Sequence, residues 1–145
     1  MKDIYWLGKR SGDEPEKEKN NIFVISDNGG EPEDKIERSD NRIYFYSEVC
    51  RAKVLQLNKE IRILNLDIVH TSNILSLDVK ANIYLHINSF GGSVFAGLAA
   101  VDYIKKSEIP IVSIVDGSAA SAATLMNIVA KERYIHENSF MLIHQ

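Results

Sequence analysis

Between residues 42 and 145 the apolar positions switch repeatedly between the close spacing of strands and the three-and-four spacing of helices. The stretch RIYFY (42–46) is aromatic and β-branched and predicts a strand. Val54, Leu57, Ile61, Leu64 and Ile68 then recur at spacings of 3, 4, 3 and 4, one face of an amphipathic helix. NIYLHI (82–87) predicts a second strand, and the stripe Val94, Leu98, Val101 and Ile104 a second helix. PIVSIV (110–115) reads as a buried strand and Ala119 to Lys131 as a third helix. RYIH (133–136) and FMLI (140–143) close the chain as short strands, with ENS turning between them. Strands alternating with helices predict an α/β fold with largely parallel pairing.

Charge divides the chain. Residues 1–41 hold 7 Lys/Arg and 11 Asp/Glu, whereas residues 42–145 hold 10 and 9, at less than half the density. We therefore expect a domain boundary near Asp40. Residues 1–40 form a charged, partly flexible N-terminal arm with a strand candidate, NIFVIS, and an apolar tip, IYWL; residues 41–145 form the core. No apolar run approaches the ~20 residues of a membrane span. The first residues lack the uninterrupted apolar stretch of a signal peptide, so the expected location is cytoplasmic, away from the membrane. A single cysteine, Cys50, excludes an internal disulfide and a cysteine-based zinc site, and nothing near it in sequence would activate it as a nucleophile. A formal charge of -3 argues against nucleic acid as the main partner. No metal ligand set is assigned.

Candidate chemistry sits at two strand-to-helix junctions. In INSFGGSV the paired glycines Gly91 and Gly92 fall where a strand ends and a helix begins. Glycine accepts positive φ and leaves an amide N–H uncovered, which suits an anion or an oxyanion. In VDGSAASAATLMN nothing larger than serine occurs from Gly117 to Ala123. Small residues of this kind allow close packing; they also leave room for a substrate carbonyl beside Ser121, placed here in the first turn of the third helix, where the helix field favours negative charge. A serine hydroxyl needs a base to accept its proton, and His144, at the end of the last strand, is the candidate. His70, His86 and His136 are assigned no role.

The three pieces INSFGGSV, GSAASAA and NSFMLIHQ, in this order on this scaffold, resemble the proteolytic subunit of the Clp protease, and the resemblance runs back to RIYFYSEV. It implies a ClpP/crotonase-like spiral of ββα units. It implies Ser121 as nucleophile and His144 as general base, with the backbone amides of Gly92 and Ala122 forming the oxyanion hole. It further implies self-association into heptameric rings and cleavage of unfolded polypeptides inside the chamber. A hexameric ATP-dependent unfoldase would be the partner. ATP would be used there, because no G-x-x-x-x-G-K-[ST] occurs in this chain and no cofactor is expected in it.

The departures are specific. Phe90 stands where the family has proline before the glycine pair, and Ala123 stands where glycine is frequent. The stretch from Ser121 to His144 is about two residues shorter than the family pattern. The family's third catalytic residue, an aspartate, comes after the histidine at a distance, and it has no counterpart before Gln145. The family's C-terminal handle region likewise has no counterpart before Gln145, so we expect a chain truncated after the histidine and weak or no activity from it. Asp116 is the one acid near Ser121 in sequence and sits on the strand side of the turn. Three other readings stay open: a non-catalytic ring subunit, a crotonase-like acyl-CoA enzyme, and a signal-peptide-peptidase-like serine/lysine protease. The last would want a catalytic lysine and a membrane anchor.

Overall fold

Side chains alternate across a strand, and in this chain the alternation sorts one sheet into two unlike faces. The computed structural model describes residues 35–76 and 81–144. Its elements are β1 (Lys35–Ser39), β2 (Arg42–Tyr46), α1 (Arg51–Leu75), β3 (Ile83–Ser89), α2 (Val94–Lys106), β4 (Ile111–Ala120), α3 (Ala122–Ile128), β5 (Glu132–Ile135) and β6 (Phe140–Leu142). Strand order is β1-β2-β3-β4-β5, with β6 also on β4, and only the β1–β2 pair is antiparallel. Parallel neighbours require a crossover between them, which α1, α2 and α3 supply.

One face carries Ile43, Phe45, Leu85, Ile87 and Val115, all fully buried, and the helices contribute Leu57, Ala100 and Met126 to the same core. Burying each large side chain of this kind stabilises the fold by about 1.5–3 kcal/mol. Ser113 also lies on this face at 0% exposure, and its hydroxyl is satisfied by the Asn127 side chain of α3 at 2.6 Å. The stripe predicted from Val54 to Ile68 is the buried side of α1, which runs on to Leu75 and ends at Ser76 with φ 50. No described helix is long and apolar enough to cross a membrane.

Three expectations change. The charged stretch KIERS forms β1, pairs with β2 and buries Ile36, so the sheet starts ahead of the boundary expected near Asp40. A single inward apolar residue among charges gives no periodic signal. The rest of the expected arm, NIFVIS and IYWL included, lies outside the described residues. The third helix is shorter than the expected Ala119–Lys131: β4 continues through Ala120, because Ser118, Ala119 and Ala120 pair with β6. Ser121 therefore stands between strand and helix, not inside the helix. Finally, the ENS turn between β5 and β6 does not reverse the chain. Both run parallel to β4, β5 along Val112–Val115 and β6 along Ser118–Ala120, so they form one interrupted strand along one edge.

The interruption lies opposite Asp116 and Gly117. Val115 pairs with Ile135 and Ser118 with Phe140, so residues 136–139 bulge against two residues of β4. On its other side β4 bulges against β3: Ile87 pairs with Val115 and Ser89 with Ala119, which sets residues 116–118 against Asn88 alone. Asn88 fills that gap, its Oδ1 accepting the Ser118 N–H and hydroxyl at 3.2 Å each. A Cβ on Gly117 would stand 2.8 Å from the same oxygen, so a larger residue there would push the Asn88 amide off its Ser118 contacts.

The opposite face is polar and centres on Asp116. Its Oδ2 accepts from the Tyr46 hydroxyl at 2.6 Å and faces His86 Nδ1 at 2.7 Å. Arg42 Nη1 lies 2.8 Å from His86 Nε2. Arginine can only donate, so Nε2 accepts and the ring proton sits on Nδ1, aimed at Asp116. Tyr44 stacks on the His86 ring at 4.6 Å. Burial, then the hydrogen bond to Asp116 and its charge, push the Tyr46 phenol above its ordinary range. The folded chain thus holds this proton longer than the unfolded chain does. The stabilisation is whole below the ordinary phenol value of about 10 and is lost as pH climbs from there towards Tyr46's own higher value. Urea midpoints measured across the alkaline range should fall for the native chain, and Tyr46→Phe should flatten that decline.

Candidate active site

Gly91 and Gly92 come after β3 with φ of +100 and +142, in the region that favours glycine. Two bonds fix the turn to the segment before α1: Val49 N–H donates to the Gly91 carbonyl, and Ser93 N–H donates to the Val49 carbonyl, each at 2.7 Å. In such a bridge the middle residue's own N–H is turned to the other side, so the exposed Gly92 amide faces away from Val49. Ser89 Oγ accepts the Gly91 N–H at 3.1 Å from within the core.

Gly91 is also the contact between the two junctions. A Cβ built on it would lie 2.7 Å from the Ala120 carbonyl, 2.8 Å from Ser121 Cβ and 3.2 Å from the Ala122 nitrogen. The first glycine-rich turn is thus seated on the Ser121–Ala122 peptide. Gly97 makes a second close approach, with its would-be Cβ 3.1 Å from the Ala122 carbonyl. Ala119, Ala122 and Ala123 are buried. Close packing and a placed serine are therefore the same feature, not rival explanations of the small residues.

Ser121 caps α3 with φ 50 and ψ -122, a left-handed conformation that costs a non-glycine residue about 1–3 kcal/mol. Neighbours on three sides hold it there. Its N–H donates to the Leu142 carbonyl of β6 at 2.8 Å. Its carbonyl accepts the Thr124 N–H at 3.0 Å and the Thr124 hydroxyl at 2.6 Å. Gly91 closes the third side. Ala122 is the first residue of α3, where a helix N–H has no partner inside the helix. At seven residues α3 is short, so any oxyanion role falls on this amide itself and not on a long helix field.

His144 is exposed and lies two residues beyond Leu142, the residue whose carbonyl takes the Ser121 N–H. The register of β6 on β4, Ala120 against Leu142, puts Ser121 and His144 at the same end of adjacent strands. The structure thus brings together the glycine pair, the Ser121–Ala122 peptide and the strand end that carries His144. Asp116 is not part of this group. It is committed to Tyr46, His86 and His136 one bulge away, which removes it as a substitute acid for His144. Sequence reasoning leaves His86 and His136 without a role. Their convergence on Asp116 depends on strand register, for which spacing along the chain carries no signal. Glu48 is also missed: its Cγ would be 3.0 Å from a Cβ on Gly92, at the rim of the candidate hole. Among the described residues no group of three or more His, Cys, Asp or Glu is placed to hold a metal ion.

The chain is similar to known proteins in sequence and in fold. A family model described as Clp protease matches residues 22–145. The ATP-dependent Clp protease proteolytic subunit of Streptococcus mutans is 34% identical over 117 residues, covering 77% of this chain and 59% of the relative. Proteolytic subunit 1 of Leifsonia xyli is 33% identical over 104 residues, covering 69% and 53%. Among solved structures, ClpP1 from Listeria monocytogenes superimposes with a TM-score of 0.63 at 24% identity, over 73% of this chain and 57% of that one. The chain spans a little over half the length of the relatives it matches. With a family match over residues 22–145, the chain belongs to the Clp protease family.

Proposed function

We propose that this chain carries the nucleophile-and-base half of a Clp-type serine endopeptidase. The observation that carries the reading is Ser121 itself: a serine held at positive φ, pinned by its own N–H to the strand that leads to His144, and seated against Gly91. Strain of this kind persists only where surroundings over-determine it, and it gathers at functional sites.

In this reading Ser121 Oγ attacks the scissile carbonyl while His144 takes its proton, since an unassisted hydroxyl is a weak nucleophile. The carbonyl oxygen becomes an oxyanion between the Gly92 and Ala122 amides. Such a donor lowers the barrier by about 3–4 kcal/mol in a comparable protease. His144 then delivers the proton to the leaving amine, and water, activated by the same base, releases the acyl group from Ser121. Gly91 lets the two donor-bearing turns approach to backbone contact. Gly92 and Ala122 can then address one oxygen.

The substrate class is unfolded polypeptide, cut to short peptides within a ring of copies of this subunit, heptameric by resemblance. A hexameric ATP-driven unfoldase would feed the ring, and the setting would be cytoplasmic. Exposed apolar side chains along α1 and α2, such as Leu55, Leu66, Ile74, Val94 and Phe95, support the self-association part of this reading.

A fluorophosphonate should label Ser121, and Ser121→Ala should abolish both labelling and peptide hydrolysis with the circular dichroism spectrum unchanged. Ser118 and Ser89 are buried and bonded to Asn88 and to the Gly91 amide, so they should stay unlabelled. Labelling that survives Ser121→Ala would contradict the assignment. Gly91→Ala forces a Cβ to 2.7 Å from a backbone oxygen at a φ only glycine takes readily. It should lower the labelling rate by two orders of magnitude or so, as misplaced reacting groups do.

A further inference from the structure

Asp116 lies outside the set just described, yet it stands where both neighbours of β4 lose register, and it holds the longer of the two interruptions. Residues 136–139 are four residues spanning two of β4, and nothing in strand pairing alone fixes how that excess is folded. Three contacts of His136 fix it. Its N–H donates to the Val115 carbonyl at 3.1 Å, its carbonyl accepts the Ser139 N–H at 3.0 Å, and its ring Nε2 lies 3.1 Å from Asp116 Oδ1. The ring is close enough for an ion pair without being aimed for a good hydrogen bond, and Oδ1 is buried with no hydrogen-bond donor of its own. A buried carboxylate oxygen left without a partner is costly, so Oδ1 is a standing demand for the His136 ring. Oδ2 is already taken by Tyr46 and His86, and His86 is steadied by Arg42. The carboxylate therefore cannot turn towards another partner without losing two contacts.

Strand β6 begins directly after the bulge, and its first residue, Phe140, can pair with Ser118 only if the excess residues are gathered at 136–139. A slip of one residue would send the wrong carbonyl to the Ser121 N–H and turn each β6 side chain to the other face. We propose that Asp116 is a positioning residue for the candidate site: through the His136 ring it fixes the register of β6 on β4, and so the placement of His144 relative to Ser121. This rests on the Ser121–His144 reading above. It extends that reading to residues that neither touch the substrate nor lie in the catalytic motifs.

The test uses two readouts on the native protein and on Asp116→Asn, His136→Leu and His136→Gln. One is amide hydrogen exchange at Ser121, whose N–H bond to Leu142 reports the register directly. The other is the fluorophosphonate reaction, resolved into its maximal rate and its half-saturating concentration. The His136 side chain is 65% exposed, so His136→Leu opens no core and keeps the test open should Asp116→Asn fail to fold. His136→Gln retains an N–H donor where the ring nitrogen was. In Asp116→Asn and His136→Leu we expect Ser121 to exchange at least about tenfold faster while Leu85 and Ile87 stay protected. The maximal labelling rate should fall about tenfold or more with half-saturation unchanged. His136→Gln should lie within about twofold of native on both, the ordinary scale of a surface change. Unchanged Ser121 exchange in His136→Leu would overturn the proposal, as would equal damage by Gln and Leu. If the native protein is never labelled at Ser121, the peptidase reading fails, and the exchange measurement still decides the role of Asp116.

Discussion

Strand β4 has no free edge along its length, and it loses register with both neighbours at the same place. At Asp116–Gly117 three residues of β4 face Asn88 alone on one side, and two face residues 136–139 on the other. Everything that gives this chain a candidate site lies past that point. The slip carries Ser118–Ala120 onto β6 and ends the strand at a serine whose N–H reaches Leu142. It also lets Gly91 rest against the Ser121–Ala122 peptide. Bulges beside active sites commonly re-aim a side chain in this way. Here the Asn88 side chain takes the Ser118 N–H on one flank, and on the other backbone bonds of His136 close the bulge while its ring lies against Asp116.

The energetics run in one direction. Ser121 at positive φ is unfavourable by about 1–3 kcal/mol, whereas Gly91 and Gly92 take positive φ without steric cost. The opposing term is the apolar face beneath them, where fully buried Phe45, Leu85, Ile87 and Met126 are worth about 1.5–3 kcal/mol each. A helix-covered face thus supports a strained rim, and the strain is local to Ser121. The polar network of Asp116 on the opposite face adds little hydrophobic stability. Its role is geometric.

Much of this was legible in the sequence. The helix stripe from Val54 to Ile68, the strand NIYLHI and the alternation of types all survive, because periodicity reports which residues face a core. The glycine pair and the serine were legible because glycine at a junction and a serine among alanines are compositional events. The features that stayed hidden depend on register. KIERS became a strand through pairing with β2, although Ile36 is its one apolar residue. Ala119 and Ala120 favour helices by propensity, yet β3 and β6 on either side of Ala119, and β6 beside Ala120, hold them in β4. ENS reads as a turn between RYIH and FMLI and is one, closed by the Ser139 N–H on the His136 carbonyl; that this turn absorbs a slip between two strands both parallel to β4 depends on register. His86, His136 and Asp116 are separated by up to 50 positions in the chain, and only the sheet brings them together.

Membership of the Clp protease family rests on a match over most of the chain, and the proposed chemistry on the junction geometry. The central claim is that Ser121, Gly92, Ala122 and His144 converge on one reacting group. A crystal structure of the protein after reaction with a peptidyl phosphonate would test it most directly. The account predicts continuous density from Ser121 Oγ to phosphorus, one phosphoryl oxygen within about 3 Å of both the Gly92 and Ala122 nitrogens, and His144 beside Ser121 Oγ. An adduct on another residue, or a phosphoryl oxygen pointing to solvent with those two amides unused, would contradict it.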